Sequence, residues 1–152
     1  MSKKIAIAND HGGVCLKESV IEVIKEAGYE YKDFGSFGSE SVNYPEYAQK
    51  AADAVASGEC DLGILICGTG IGISMAANKV KGIRAAVCTD PVCAGLTRLH
   101  NNANILALGG RIVGVELAKE IVKAFLSTEF EGGRHQTRVD MITAIENGEK
   151  LY

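Results

Sequence analysis

Leu62-Gly63-Ile64-Leu65-Ile66-Cys67-Gly68-Thr69-Gly70-Ile71-Gly72 is the stretch from which the rest of the chain can be read. An apolar run halts at a cysteine, a glycine-rich loop follows, and a helix-compatible run continues from Ile71 to Lys79. A short apolar run bounded by turn residues reads as a buried strand. Glycines let backbone approach a ligand closely, and the free N–H groups of a helix start favour an anion. The stretch therefore offers Cys67 as a nucleophile or base beside an oxyanion or phosphate cradle. It reads equally as a tight strand-to-helix turn holding a buried, unreactive cysteine.

Outward from this stretch, the chain repeats the same unit. Toward the N-terminus, Lys4 to Ala8 is a strand ending at Asn9-Asp10-His11-Gly12-Gly13. Val14 to Ala27 has helical spacing, with Leu16, Val20, Val23 and Ile24 on one face and Gly28 as its stop. Tyr29 to Phe34 is a second strand, and Pro45 suits the first turn of a helix reaching about Ser57. Toward the C-terminus, Ile83 to Cys88 and Asn104 to Leu108 are strands, the latter ending at Gly109-Gly110-Arg111. Helices follow from Pro91, over Glu116 to Leu126, and over about 134–147. Strands alternating with helices imply right-handed βαβ units and a doubly wound parallel sheet. The expected fold is α/β, a Rossmann-like three-layer sandwich on a five-stranded parallel sheet, and 152 residues make one domain.

Composition narrows the function classes. A net charge of −3 gives no sign of nucleic acid or an anionic membrane as partner. Five cysteines form no CxxC pair, and Cys88 with Cys93 lacks nearby histidines for a zinc knuckle. Reduced thiols in a cytoplasm are expected, and the first apolar run is too short for a signal peptide or membrane span.

In doubly wound folds, ligands bind beyond the carboxyl ends of the strands. Those ends carry Asp10 and His11, Cys67 with Gly68 to Gly72, Asp90, and Arg111. One reading is a dinucleotide site, with Gly68-Thr69-Gly70 as the loop and Asp90 as the ribose-binding acid. Its fingerprint would need glycine at position 73, where Ile73 stands. The other reading is sugar-phosphate isomerisation, which needs a base, donors for an enediolate oxygen and cations for a phosphate. Cys67 as thiolate, the amides of Gly68 to Gly72, and Arg111 with Arg134 and Arg138 meet those needs. The last two are four apart and share one helix face, as any pair of solvated surface charges also does. His100, before Asn101 and Asn102, reads as a catalytic group or as a helix C-terminal cap.

Ile5 to Gly13, Cys67 to Gly72, His100-Asn101-Asn102-Ala103-Asn104, Gly109-Gly110-Arg111 and Arg134 to Val139 together resemble the type B ribose-5-phosphate isomerase family. The resemblance spans nearly the whole chain. It implies that Cys67 moves a proton between C1 and C2 and that Thr69 and His100 assist ring opening. It implies that the amides of Gly68, Gly70, Ile71 and Gly72 stabilise the enediolate. It gives Asp10 and Asn101 to the sugar hydroxyls and Tyr44 to the pocket wall. His11, Arg111, Arg134 and Arg138 match the phosphate-binding set. No cofactor and no metal are implied. The implied assembly is a homodimer or dimer of dimers with shared active sites, the C-terminal helix completing the site or the dimer. A branch of the family places a glutamate base one turn into the helix; Ile73 stands there, so the cysteine branch applies. Ala8-Asn9 replaces the commoner Gly-Ser. The expected activity is interconversion of ribose 5-phosphate and ribulose 5-phosphate. The alternatives are isomerisation of a six-carbon sugar phosphate, of allose or galactose, and a non-catalytic phosphosugar-binding module that would not need the thiol. Cys67, His100 and all three arginines in one chain favour a self-sufficient enzyme.

Overall fold

The computed structural model describes residues 2–152. Five strands, β1 (Lys4–Asn9), β2 (Glu30–Asp33), β3 (Leu62–Cys67), β4 (Ala85–Val87) and β5 (Ile105–Gly109), form one sheet. Every pairing is parallel, and the strand order is β2-β1-β3-β5-β4. The helices are α1 (Val14–Glu26), α2 (Tyr44–Ala56), α3 (Ile71–Ala77), α4 (Pro91–Asn101), α5 (Val115–Ser127) and α6 (Arg134–Glu146).

The period of two along each strand sorts side chains to opposite faces. Ile5, Ile7, Ile64, Ile66, Leu106 and Leu108 pack with α1 and α5, burying Phe125 completely. Ala6, Ala8, Leu65, Cys67, Ile105 and Ala107 pack with α2 and α3. Helix α2 meets that face with Ala48, Ala51, Ala52 and Ala54, so small side chains bring helix and sheet close. The result is the expected three-layer, doubly wound sandwich. Helix α6 stands outside these layers. Of its side chains only His135 and Val139 are buried, whereas Met141, Ile142 and Ile145 are exposed.

Two elements are shorter than their hydrophobic patterns suggest, for one shared reason. Helix α3 ends at Ala77 rather than Lys79 because the Asn78 side chain turns to the strand beside it. Its Oδ1 accepts from Ala85 N at 2.7 Å and its Nδ2 donates to Ala85 O at 2.9 Å. Strand β4 is the edge, and its predicted start is capped off by side chains: Asn104 Oδ1 accepts from Arg84 N at 2.8 Å.

The strand order also rules out the dinucleotide arrangement. Asp90 follows β4, which lies beyond β5 and is not a neighbour of β3. Its carboxylate accepts from Cys93 N at 2.8 Å and serves as the N-cap of α4.

Candidate active site

The chain order reverses between β1 and β3, and at such a switch point the loops leaving both strands splay apart to leave a crevice. Their carboxyl ends deliver Asp10-His11-Gly12-Gly13 and Gly68-Thr69-Gly70 to it, and β5 delivers Gly109-Gly110-Arg111. The three loops are tied by backbone: Asp10 N donates to Ile66 O at 3.1 Å, Gly110 N to Cys67 O at 2.8 Å and Arg111 N to Gly68 O at 2.9 Å. They are too close for side chains between them, since a Cβ on Gly110 would lie 2.3 Å from Gly12 O.

Cys67 is 4% exposed, with its sulfur turned into the loop. Gly70 N donates to Sγ at 3.1 Å. That geometry depends on Gly70 having φ of +78°, where a Cβ would also meet the Leu108 carbonyl carbon at 2.8 Å. Ile71 N donates to Thr69 Oγ1 at 3.1 Å, which fixes the hydroxyl at the loop tip. Among the described residues, the N–H groups of Gly68, Thr69 and Gly72 have no protein acceptor. They are donors open to an anionic oxygen.

The flanking side chains converge on the same loop. The Arg111 guanidinium rests on Gly68, with Cζ 3.5 Å from where a Cβ would stand, and the Tyr44 ring rests on Gly72 in the same way at 2.7 Å. Asp10 is buried, and its Oδ1 accepts from Gly12 N at 2.8 Å. Val42 N donates to His11 Nδ1 at 3.2 Å. An accepting Nδ1 carries no proton, so the neutral ring bears its proton on Nε2 as a donor.

His100, Asn101, Arg134 and Arg138 lie elsewhere in the same chain. Helix α4 runs back across the sheet to its amino edge, where Arg84 Nε donates to Asn101 O at 3.2 Å and Asn102 O at 3.0 Å. At that edge His100 stacks on His135, with ring centroids 4.3 Å apart. This brings in the start of α6 with Arg134, and Arg138 one turn further. A six-residue strand such as β3 spans roughly 20 Å, so one chain keeps this group a sheet's length from Cys67. Arg111 therefore stands at the carboxyl edge of its own chain, and Arg134 and Arg138 beside the amino edge. The cap role considered for His100 belongs instead to Asn102, whose φ of +46° ends α4 and whose N–H is bonded to Arg98 O at 3.2 Å.

The model of the Ribose/Galactose Isomerase family matches residues 5–142. The chain belongs to that family. It is 57% identical to ribose-5-phosphate isomerase B of Escherichia coli, over 95% of this chain and 97% of the relative. The solved ribose-5-phosphate isomerase B of Clostridium thermocellum superposes with a TM-score of 0.93 at 59% identity, covering 95% of this chain and 98% of that one. That of Mycoplasma genitalium, solved with bound ribulose 5-phosphate, gives 0.92 at 45%, covering 97% and 98%. Like these relatives, this member of the ribose/galactose isomerase family is an isomerase, and no described helix is long and apolar enough to cross a membrane.

Two features of this isomerase escaped the sequence reading. Arg98 is 5% exposed; its Nη1 donates to Ala103 O at 2.6 Å and Asn102 Oδ1 at 3.1 Å, and its Nε donates to Thr128 O at 3.3 Å. Burial lowers its ionisation from the ordinary guanidinium value. This arginine clamps the end of α4 that carries His100. The second is the group His100, Glu131 and His135, whose donor atoms lie within 4.8 Å of one another. The four-residue spacing of Glu131 and His135 was the only signal for it, and His100 joins through tertiary packing.

Proposed function

We propose that this isomerase interconverts ribose 5-phosphate and ribulose 5-phosphate through an enediolate, with no part of the site supplied by a cofactor. The observation that carries the reading is the buried Cys67 sulfur at the carboxyl end of β3, bonded by Gly70 N and ringed by open amides and Arg111. In the open-chain aldose, Cys67 as thiolate takes the proton from C2. The electrons pass into the C1 carbonyl, and the resulting oxyanion meets the amides of Gly68 and its neighbours. The O2 proton passes to O1, and return of the proton from Cys67 to C1 then leaves the ketone at C2 and a hydroxyl at C1. Thr69 and His100 move the proton that opens the sugar ring. Asp10 and Asn101 hold sugar hydroxyls, Tyr44 lines the pocket, and His11, Arg111, Arg134 and Arg138 hold the phosphate.

The two groups of residues on opposite sheet edges support a site completed by a second copy of this chain. His100, Asn101, Arg134 and Arg138 of one protomer then face Cys67 of its partner. The exposed Met141, Ile142 and Ile145 on α6 give that contact an apolar surface. On this reading residues 1–152 form one domain whose C-terminal helix completes the partner's site. All five cysteines are free, which supports a reducing compartment such as the cytoplasm.

Initial rates on a panel of phosphorylated pentoses and hexoses test the proposal. The expected result is a kcat/KM for ribose 5-phosphate well above those for allose 6-phosphate and galactose 6-phosphate. A preference for either hexose would overturn the five-carbon assignment.

A further inference from the structure

His135 has no role in the reaction as set out above, yet its surroundings are unusual. It occupies the first turn of α6 and is 7% exposed. Its ring lies against that of His100, 4.3 Å between centroids and 17° between planes. Nε2 stands 3.4 Å from Glu131 Oε2 but out of hydrogen-bond alignment, and it is a buried nitrogen with no other partner among the described residues. The ring's close aromatic contact is the face it presents to His100. The backbone around the pair is pinned: Glu131 N donates to Leu99 O at 3.1 Å, and His135 N to Gly132 O at 3.1 Å. Arg98 fixes the same end of α4 from the other side.

The three donors resemble a metal site in composition but not in geometry. A metal about 2.0–2.1 Å from each nitrogen needs both in-plane lone pairs aimed at one point. Stacked rings only 17° from parallel aim them side by side. The arrangement is a platform under His100.

We propose that His135 is a positioning residue, whose flat face fixes the plane of the His100 imidazole that moves the ring-opening proton. The inference rests on the assignment of His100 under the proposed function. The charged and titratable groups around the pair are Arg98 and His100 on α4, Arg84 at the adjoining sheet edge, Glu129 and Glu131 on the connecting segment, and Arg134 and Arg138 on α6. Burial first, then His100, Arg134 and Arg138, hold the ionisation of His135 below that of an ordinary imidazole, while Glu131 opposes them. At neutral pH the platform is an uncharged ring, which stacks without repelling a proton carried by His100. The orientation matters because a transferred proton needs its donor aligned within hydrogen-bond reach of the sugar oxygen.

The test compares H135L, which fills the space without a flat face, with H135F, which keeps the face and removes the unpaired nitrogen. Two readouts are taken. One is the initial rate in each direction with ribose 5-phosphate or ribulose 5-phosphate. The other is the NMR position of the His100 C2 proton, assignable in a chain with three histidines. H135L should lower kcat from the aldose side about three- to tenfold, the scale of one lost aromatic contact. Its loss from the ketose side should be smaller, its KM should stay within about twofold, and His100 should lose its ring-current shift. H135F should recover both the rate and the shift. If H135L matches the parent in both readouts, or if its loss lies in KM as in R134A, the positioning role is overturned. It is also overturned if H135F keeps the shift but not the rate. H100A serves as the control: equal losses in both directions there would overturn the ring-opening assignment itself, and the positioning role with it.

Discussion

Cys67 and His100 are assigned to different steps, so their removal has different consequences. Cys67→Ala takes away the base and should lower kcat on the order of 10²–10⁴-fold in both directions. The side chain is small and lies at the end of its strand, so the melting temperature should change little. Initial rates and a thermal melt check both expectations; turnover near the parent's would sink the role of the thiol. His100→Ala should fail asymmetrically. The aldose phosphate must open its ring before its C2 proton is accessible. Ribulose 5-phosphate cannot close a furanose through its phosphorylated C5 oxygen, so the ketose direction bypasses the step. The large loss should therefore appear from the aldose side, measured as single-direction initial rates because the overall equilibrium belongs to the reactants. The two buried thiols away from the loop, Cys60 and Cys88, are poor competitors for a base role. Burial pushes Cys88 up to about 11 and Cys60 upward as well, which keeps them protonated at neutral pH.

At the scale of elements, α6 is the least embedded helix and carries two of the three arginines assigned to the phosphate, Arg134 and Arg138. Arg134 and Arg138 are both exposed and one turn apart. Each charge-assisted contact to a phosphate contributes roughly 1.5–3 kcal/mol. Alanine at either position should raise the dissociation constant for ribose 5-phosphate about ten- to a hundredfold by calorimetry, with inorganic phosphate as competitor in the parent. Unaltered binding in both variants would return these residues to ordinary surface charge. The anchoring of α6 should also depend on pH. His135 has its ionisation lowered in the folded chain, chiefly by burial. The unfolded chain then binds that proton more readily than the folded one, so stability rises with pH through this window. The contribution is complete above the ordinary imidazole value near 6.5 and is lost as pH falls through the lower folded value. The protection factors of amides along α6, corrected for intrinsic exchange, should fall below about pH 6.5 in the parent and be less sensitive to pH in H135F. An equal fall in both would assign the effect to other groups.

The whole molecule poses a question of assembly. Strand β3 separates Cys67 from the His100 group by roughly 20 Å, and no rotation of a side chain spans that distance. If a second copy closes the gap, Cys67→Ala and Arg134→Ala chains should complement when assayed at a substrate concentration far below the raised KM of Arg134→Ala, where each alone turns over little. A mixed dimer brings together one intact Cys67 loop and one intact α6, while its other site carries both lesions. Mixing under subunit exchange should restore a fraction of parental activity, at most about a quarter if exchange is random and half of the chains are mixed pairs. Exchange is verified by native mass spectrometry. Full exchange without recovery would place both residues in the same site of one chain and contradict the division.

What the sequence by itself determined was local. Alternation of apolar strands with amphipathic helices, and loops of glycine at strand ends, were enough for a doubly wound parallel sheet and for the convergence of Asp10, Cys67, Thr69 and Arg111. Those residues follow strands directly, and parallel strands all end on one edge. The order of the strands was not legible: nothing in β4 or β5 alone says that the later strand inserts beside β3, a choice made by packing Leu106 and Leu108 over α5 and leaving the three-residue β4 at the edge. Nor did the sequence show on which side His100 lies. Motifs report which residue types are present, whereas a helix of eleven residues carries its last turn roughly 16 Å from its first. Only the tertiary structure decided that this distance runs away from Cys67, that Arg98 bonds the end of α4 and His135 stacks on His100 at the far edge, and that the Cys67 loop and the His100 group lie at opposite edges of one sheet.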